Sequence, residues 1–444
     1  MKAMAREKKS MAEKIELGLS RNRLFDFNST VVFKGRYKGE LNESDVNKAL
    51  KMLSVKEPVI TAVACVEEDS KGYILTGKVN PVVSVSSGRA DDIVRGYDRK
   101  PLSFYDRLFE FTISADGYLV IAGHTLVCDA KSLLRLAGYF ADFYEKKTLS
   151  VEENEILTFS QKGSLPVDVI SPLVNKLSSE LDDGWQKSKK IFTLEDYKSA
   201  CAHYFSEVFV PASDVSCFVE NGDVLALCEK ATELEVDFSS LLYFCFYKAL
   251  VANVKVPKNE SKLRVYADRR FFHGGKDIYS VGAYNGTVCV SLSHKEQRKS
   301  LEEQLKIFHL DIYRAITSPF RVFSDEILLM SVEDSFCDSS YMYMSGMLKG
   351  KAPKNLAKTY GCLNKELGDC FYCNLTQQYW ESLGVYKDIS VSEPMKERSR
   401  VLLNLVQTHE GVSVQLRYRD KGIDENISQK LIEDMVGYFD YFLK

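Results

Sequence analysis

The sequence predicts a mixed α/β protein built as two domains, and three observations predict it. Its 444 residues exceed what one hydrophobic core usually organises. Short apolar, strand-like runs alternate with segments whose apolar residues recur at three- and four-residue steps. Hydrophobic residues at 45% and charged residues at 27% give each half enough apolar side chains for a core of its own.

Along the chain, Gly117 to Gly123 (GYLVIAG) reads as a short buried strand. Lys131 to Tyr144 reads as a helix, with Leu133, Leu136, Ala137, Phe140 and Tyr144 on one face. Gly163 to Pro172 (GSLPVDVISP) holds two prolines close together and marks a break, dividing the chain into residues 1–172 and 173–444. The polar, helix-like stretch Leu177 to Lys190 links the halves, and Val208 to Ala212 (VFVPA) opens a new alternation of strands and helices. Phe238 to Val251 is the most apolar window; it carries Lys248 and is too short to span a membrane, so it reads as a core helix.

Composition narrows the function. A formal net charge of −3 and the lack of a long basic run mean that nothing in the composition argues for nucleic acid. The basic segment Lys2 to Lys14 is interrupted by Glu7 and Glu13 and precedes no apolar stretch, which is not the pattern of a secretory signal. Eleven cysteines at scattered spacings suit reduced thiols and a cytoplasmic location. Cys370 and Cys373, with Cys362 upstream, lack a nearby fourth ligand, and Phe371 and Tyr372 suit a buried strand, so no metal is expected. Walker A, G-x-S-x-G and dinucleotide-binding glycine patterns are absent.

The most informative stretch is His124-Thr125-Leu126-Val127-Cys128-Asp129-Ala130. It resembles the HHxxxDG signature of thioester-dependent acyltransferases, the family of chloramphenicol acetyltransferase, alcohol acyltransferases and the condensation domains of peptide synthetases. Ser132 stands where that family often has serine. Leu263 to Val290 resembles its strand, arginine, loop, VGxxxN, strand region, with Arg269 or Arg270 as the arginine and Gly282 and Asn285 in the turn. Cys373-Asn374-Leu375 is similar to the S-N-L-G segment of the strand that crosses between the halves. Phe27 to Phe33, Leu41 to Leu53 and Pro58 resemble the opening strand, helix and corner. Strands Val401 to Gln407 and Val412 to Tyr418, then a helix from Asp424 to Leu443, resemble the closing pattern.

The resemblance implies two chloramphenicol acetyltransferase-like halves, each a mixed sheet with helices, around a central cleft. It implies an acyl group carried as a coenzyme A or phosphopantetheine thioester, and an alcohol or amine acceptor whose proton the second histidine removes. Thr125 occupies that position, and a hydroxyl has no pKa near neutrality with which to take a proton. His124 aligns with the first histidine, a packing residue in the family. If the strand continues through both, His124 and Thr125 face opposite ways; a loop that absorbs one residue would instead make His124 the base. Asp129 is implied to pair with the arginine, foremost Arg269, and as a residue type it also suits the N-cap of the helix beginning at Ala130. Asn374, His273 and Cys128 are further candidates for the cleft.

Two functions fit these residues. One is acyl transfer from a coenzyme A or carrier-protein thioester, impaired by threonine at the base position. The other is a non-catalytic relative that binds an acyl carrier, a metabolite or a protein. Neither includes a permanently bound cofactor, a nucleic acid or a membrane span.

Overall fold

The computed structural model describes residues 13–146, 154, 185–186, 190–254, 262–273, 280–329, 332–359, 370–377, 381–395, 399–419 and 423–444. The proline break at 163–172 and most of the stretch 177–190 lie outside them.

Two sheets define two lobes. The first lobe holds β2 (Thr30–Tyr37), β5 (Val83–Val85), β6 (Phe109–Ile113), β7 (Tyr118–His124) and β12 (Tyr386–Ser392) in the order β12-β2-β7-β6-β5, antiparallel except for β5 and β6. A small sheet of β1 (Lys14–Glu16), β4 (Gly72–Leu75) and β3 (Val63–Val66) lies beside it. The second lobe holds β8 (Ser213–Glu220), β9 (Leu263–Asp268), β10 (Asn285–Val290), β11 (Cys370–Gln377), β13 (Ser399–Thr408) and β14 (Gly411–Tyr418) in the order β10-β9-β11-β13-β14-β8. There β11 runs parallel to both neighbours and the other pairs are antiparallel.

Both faces of β7 are covered, Leu119 and Ile121 packing in the core with residues of the helix 130–144 and Val120 and Ala122 with Ala90 and Val94, so its apolar run LVIAG is buried without alternation. The helices packed on this lobe include α1 (Glu43–Lys56), capped by the Asn42 side chain, α2 (Ala90–Arg99), and α3 (Ala130–Tyr144). Leu133, Leu136, Ala137 and Phe140 of α3 are fully buried, as the periodicity predicts, each Leu or Phe contributing about 1.5–3 kcal/mol of apolar burial. The helix 238–253 is buried almost all round, which accounts for its uniform apolarity. The closing strands and the helix 425–443 form as expected. Around 208–212 the chain is irregular and the strand begins at Ser213.

The crossing between lobes corrects one expectation. The segment around Asn374 lies in β11, in the middle of the second sheet, whereas β12 is the strand that crosses, pairing with β2. Tyr386 of β12 packs edge-on against Phe33 and Tyr37, an aromatic contact that holds the returning chain in the first lobe. The first lobe's core also takes in Tyr197, Tyr204 and Phe336, and the second lobe's core runs from Val219 to Phe442.

Candidate functional site

β7 ends at His124, and residues 125–127 turn the chain into α3, whose N-cap is Asp129. The turn's backbone is accounted for: Thr125 N–H donates to the Ser29 carbonyl at 2.7 Å and Val127 N–H to the His124 carbonyl at 3.0 Å. Leu126 N–H donates to His124 Nδ1 at 3.1 Å, so the ring is neutral with its proton on Nε2. His124 is wholly buried, edge-on to Phe104, and its Nε2 meets no partner among the described residues. Burial alone pushes its pKa down to about 3. His124 therefore lies in the core as a packing residue, and the turn that would bring it to the cleft does not occur.

Thr125 is half-buried and faces a cavity of about 40 Å³ between the lobes, shared with Asn28, Cys128, Tyr266, Asn285 and Glu393. A water needs roughly 10–15 Å³ of such space, whereas small-molecule pockets run to about 300–1,000 Å³. The Cys128 thiol is fully buried, and burial, with Asp129 and Glu393 beside it, holds its pKa well above the ordinary thiol value. It is not a ready nucleophile.

Asp129 fills both roles expected of it. Its Oδ1 accepts from Ser132 N–H at 2.7 Å as the cap of α3, and its Oδ2 from Tyr284 N–H at 2.9 Å. The arginine that grips it is Arg270, not Arg269: Nη1 and Nη2 reach the two carboxylate oxygens at 3.1 Å each. β9 ends at Asp268 and a 3-10 turn comes next, which swings successive side chains about 120° apart. Arg269 thus turns to Glu326 at 2.5 Å and lies over Phe323, while Arg270 lies over Tyr284 and beneath the start of α3. Burial disfavours the Arg270 charge, but Asp129 and Asp268 outweigh it and hold its pKa above the usual guanidinium range.

Ser132 completes the junction. Its Oγ donates to the Gly282 carbonyl at 2.7 Å and accepts from Gly282 N–H and from Arg270 Nη2. Gly282 has no alternative here, since a Cβ would sit 2.2 Å from the Tyr284 ring. Asn285 opens β10 and donates from Nδ2 to Glu393 at 3.1 Å; the same Glu393 oxygen caps Ala130 N–H at 3.2 Å. Gly282 and Asn285 thus fasten the lobes together around α3. The backbone of Asn374 lies in β11 opposite Asn404, and His273 ends the 3-10 turn; their side chains lie outside the described residues.

Sequence reasoning missed Glu393, Tyr284 and two further ties. Arg417 of β14 binds Asp98 of α2, Asp214 of β8 at 3.0 Å and the Glu393 carbonyl at 2.7 Å. Glu326 joins Arg269 to Arg23 of the first lobe at 2.9 Å. No local pattern marks such residues, because each partner lies far off along the chain. Among the described residues no group of three or more His, Cys, Asp or Glu side chains is placed to hold a metal, and no helix is long and apolar enough to cross a membrane.

No protein-family model and no curated protein matches the sequence. Solved structures match the fold. The condensation domain of the monacolin K polyketide synthase MokA is 11% identical with a TM-score of 0.63, covering 97% of each chain. The EpoB cyclization-docking bidomain of Sorangium cellulosum is 10% identical with a TM-score of 0.63, covering 97% of this chain and 85% of that one. The trichothecene 15-O-acetyltransferase of Fusarium sporotrichioides is 12% identical with a TM-score of 0.59, covering 96% and 95%. The chain has the two-lobed fold of condensation domains, which is chloramphenicol acetyltransferase-like.

Proposed function

We propose that this protein is a non-catalytic relative within the condensation-domain fold, one that keeps the two-lobed scaffold to bind a protein partner, an acyl carrier among the candidates. The observation that carries this reading is the pair His124 and Thr125. The one imidazole of the motif is sealed in the core, and the residue facing the cleft is a hydroxyl above about 40 Å³ of space. A general base must come within about 3 Å of the proton it takes and hold a pKa near the working pH. His124 meets neither condition and Thr125 lacks the pKa.

A second reading, acyl transfer from a coenzyme A or carrier-protein thioester to an alcohol or amine, draws support from the likeness to an acetyltransferase and from the position of Thr125 at the lobe junction. Positioning alone can supply effective molarities on the order of 10⁵ M, so a base is not indispensable. The pocket that Thr125 borders among the described residues weighs against it, since about 40 Å³ is well below the usual range of small-molecule sites.

Calorimetric titration of the purified chain separates the two. The non-catalytic reading predicts no saturable heat with coenzyme A, acetyl-coenzyme A or a medium-chain acyl-coenzyme A, and saturable binding for a protein partner. Saturation by a free acyl-coenzyme A would favour the transferase.

A further inference from the structure

A second opening lies between the lobes and shares no lining residue with the cavity at Thr125. It is a slot of about 460 Å³, within the size range of ligand sites. One wall is a face of the second sheet. β14 and β8 pair Ser413 with Phe218, Gln415 with Ser216 and Arg417 with Asp214, and directly paired residues point to the same side of a sheet. Val412, Val414 and Leu416, which alternate with them, turn into the second lobe's core, so the side toward the slot is polar apart from Phe218. The facing wall belongs to the first lobe: Lys34 of β2, Asp91, Val94 and Arg95 of α2, and Asp388 and Ser390 of β12.

The walls keep hydrogen-bonding capacity for a ligand. The hydroxyls of Ser216, Ser390 and Ser413 bond no other group among the described residues. The Gln415 amide is fixed through its oxygen, which accepts from Ser392 Oγ at 2.9 Å and from Asn404 Nδ2 at 3.4 Å, and its Nε2 is left for the slot.

Five charged side chains line the slot: Lys34, Asp91, Arg95, Asp214 and Asp388. Three are matched at close range, since Lys34 binds Asp91 at 2.6 Å and Asp214 binds Arg417 at 3.0 Å. The other two are one of each sign. Arg95 has Asp92 of its own helix at 3.8 Å, beyond the roughly 2.7–2.9 Å of a charge-assisted hydrogen bond, and the two side chains are 64% and 66% exposed. Asp388 accepts from the Tyr118 hydroxyl at 3.3 Å, a neutral donor that leaves its charge in place. The backbone fixes where Asp388 stands: the register of β12 with β2 slips between Lys387 and Ser390, and Asp388 within the slip has φ of 51°. Irregularities of this kind re-aim a side chain.

We propose that the slot binds a small zwitterion, a polar molecule with one carboxylate and one ammonium group, as free amino acids and short unblocked peptides are. Arg95 takes the carboxylate in its fork and Asp388 takes the ammonium, while Ser216, Ser390, Ser413 and Gln415 bond the polar atoms between them. Two opposite charges at separate points select a ligand that carries both, because one that lacks either leaves an end of the slot unmatched. The contacts come from both lobes, so the ligand should also raise the unfolding midpoint. None of these residues belongs to the motif at His124–Ala130, and the slot serves a catalytic or a non-catalytic chain alike.

Calorimetric titration of the folded full chain tests this with serine, seryl-serine and seryl-glycyl-serine, beside the N-acetyl form and the C-terminal amide of each, and with glycerol. The expected result is saturable binding of at least one zwitterion, with its acetylated and amidated forms weaker by roughly tenfold or more and glycerol silent. Which of the three binds tells a free amino acid from a short peptide. Arg95→Gln should remove the preference for the free carboxylate over the amide. Asp388→Asn, whose new side chain also suits a positive φ, should remove the preference for the free amine over the acetylated one. This crossed pattern, with melting midpoints of the unliganded variants unchanged, is one that a general loss of structure does not produce. Arg314→Gln, exposed on the helix 301–316, is the control and should bind like the wild type. No saturable binding of any zwitterion, blocked forms that bind as tightly as the free ones, or binding that both slot variants leave unchanged overturns the proposal. Competition by glycerol at equal concentration would overturn it too, by marking a site for neutral hydroxylated ligands.

Discussion

Arg270 reaches from the second lobe to clamp both carboxylate oxygens of Asp129, the residue that caps α3 in the first. The bidentate fork is the strongest geometry an ion pair takes, and this one is almost fully buried on both sides. Removing one partner strands the other's charge away from water. Asp129→Ala leaves a buried guanidinium with Asp268 as its remaining carboxylate, and the expected loss is about 3–5 kcal/mol in urea unfolding. An unchanged midpoint would show that the pair contributes nothing to the fold.

The choice of Arg270 over Arg269 is separately testable. A double-mutant cycle between Asp129→Ala and Arg270→Ala should show a coupling within about 0.5–3 kcal/mol, whereas the cycle with Arg269→Ala should be additive. Coupling to Arg269 and none to Arg270 would reverse the assignment.

Gly282→Ala places a Cβ 2.2 Å from the Tyr284 ring, in the turn that Ser132 and Asp129 hold by its backbone. Overpacking of this kind costs about 1–3 kcal/mol. Thermal unfolding of the variant checks it, and a midpoint equal to the wild type's would mean the turn repacks freely.

Two buried groups should give opposite pH slopes. His124 has a folded pKa of about 3 against an ordinary 6.5, so its contribution is complete above 6.5 and is lost as pH falls toward 3, on the order of 4 kcal/mol in total. Glu57, at the end of α1, is pushed up to about 7 from 4.5 by burial, against the opposing hydrogen bond from Asn154. Its contribution is complete below 4.5 and is lost as pH rises through 7, on the order of 3 kcal/mol. His124→Asn should flatten the acid limb of a stability–pH profile and Glu57→Gln the neutral one. Parallel profiles for wild type and both variants would show that neither group titrates differently in the fold.

Much of this architecture was legible in local pattern. The apolar run before His124, the three- and four-residue steps of 131–144 and the closing strands and helix each arise from side chains meeting a core at a fixed period. Asp129 was legible twice, as a cap and as an ion-pair partner. The choice between Arg269 and Arg270 was not, because it depends on a 3-10 turn that no periodicity announces. Nor were Glu393, Glu326 and Arg417 with its partner Asp98, which act across the lobes and acquire meaning only when distant segments meet. The crossing strand is β12 and not β11, since a three-residue likeness at Cys373-Asn374-Leu375 does not say which sheet its strand joins.

A motif that fastens the lobes without catalysing acyl transfer should leave thioesters intact. The decisive assay is thiol release from acetyl-coenzyme A and from an acyl-loaded carrier protein, with alcohol and amine acceptors, for the wild type, Thr125→Ala, Thr125→His and His124→Asn. Release should be no faster than the thioester's own hydrolysis for the wild type, Thr125→Ala and His124→Asn. For Thr125→His the rise should stay well below the ~10²–10⁴-fold a working base supplies, because the pocket bordering that position among the described residues, about 40 Å³, leaves little room to seat a thioester in register with a new base. Wild-type turnover that disappears with either Thr125→Ala or His124→Asn would contradict a purely structural motif.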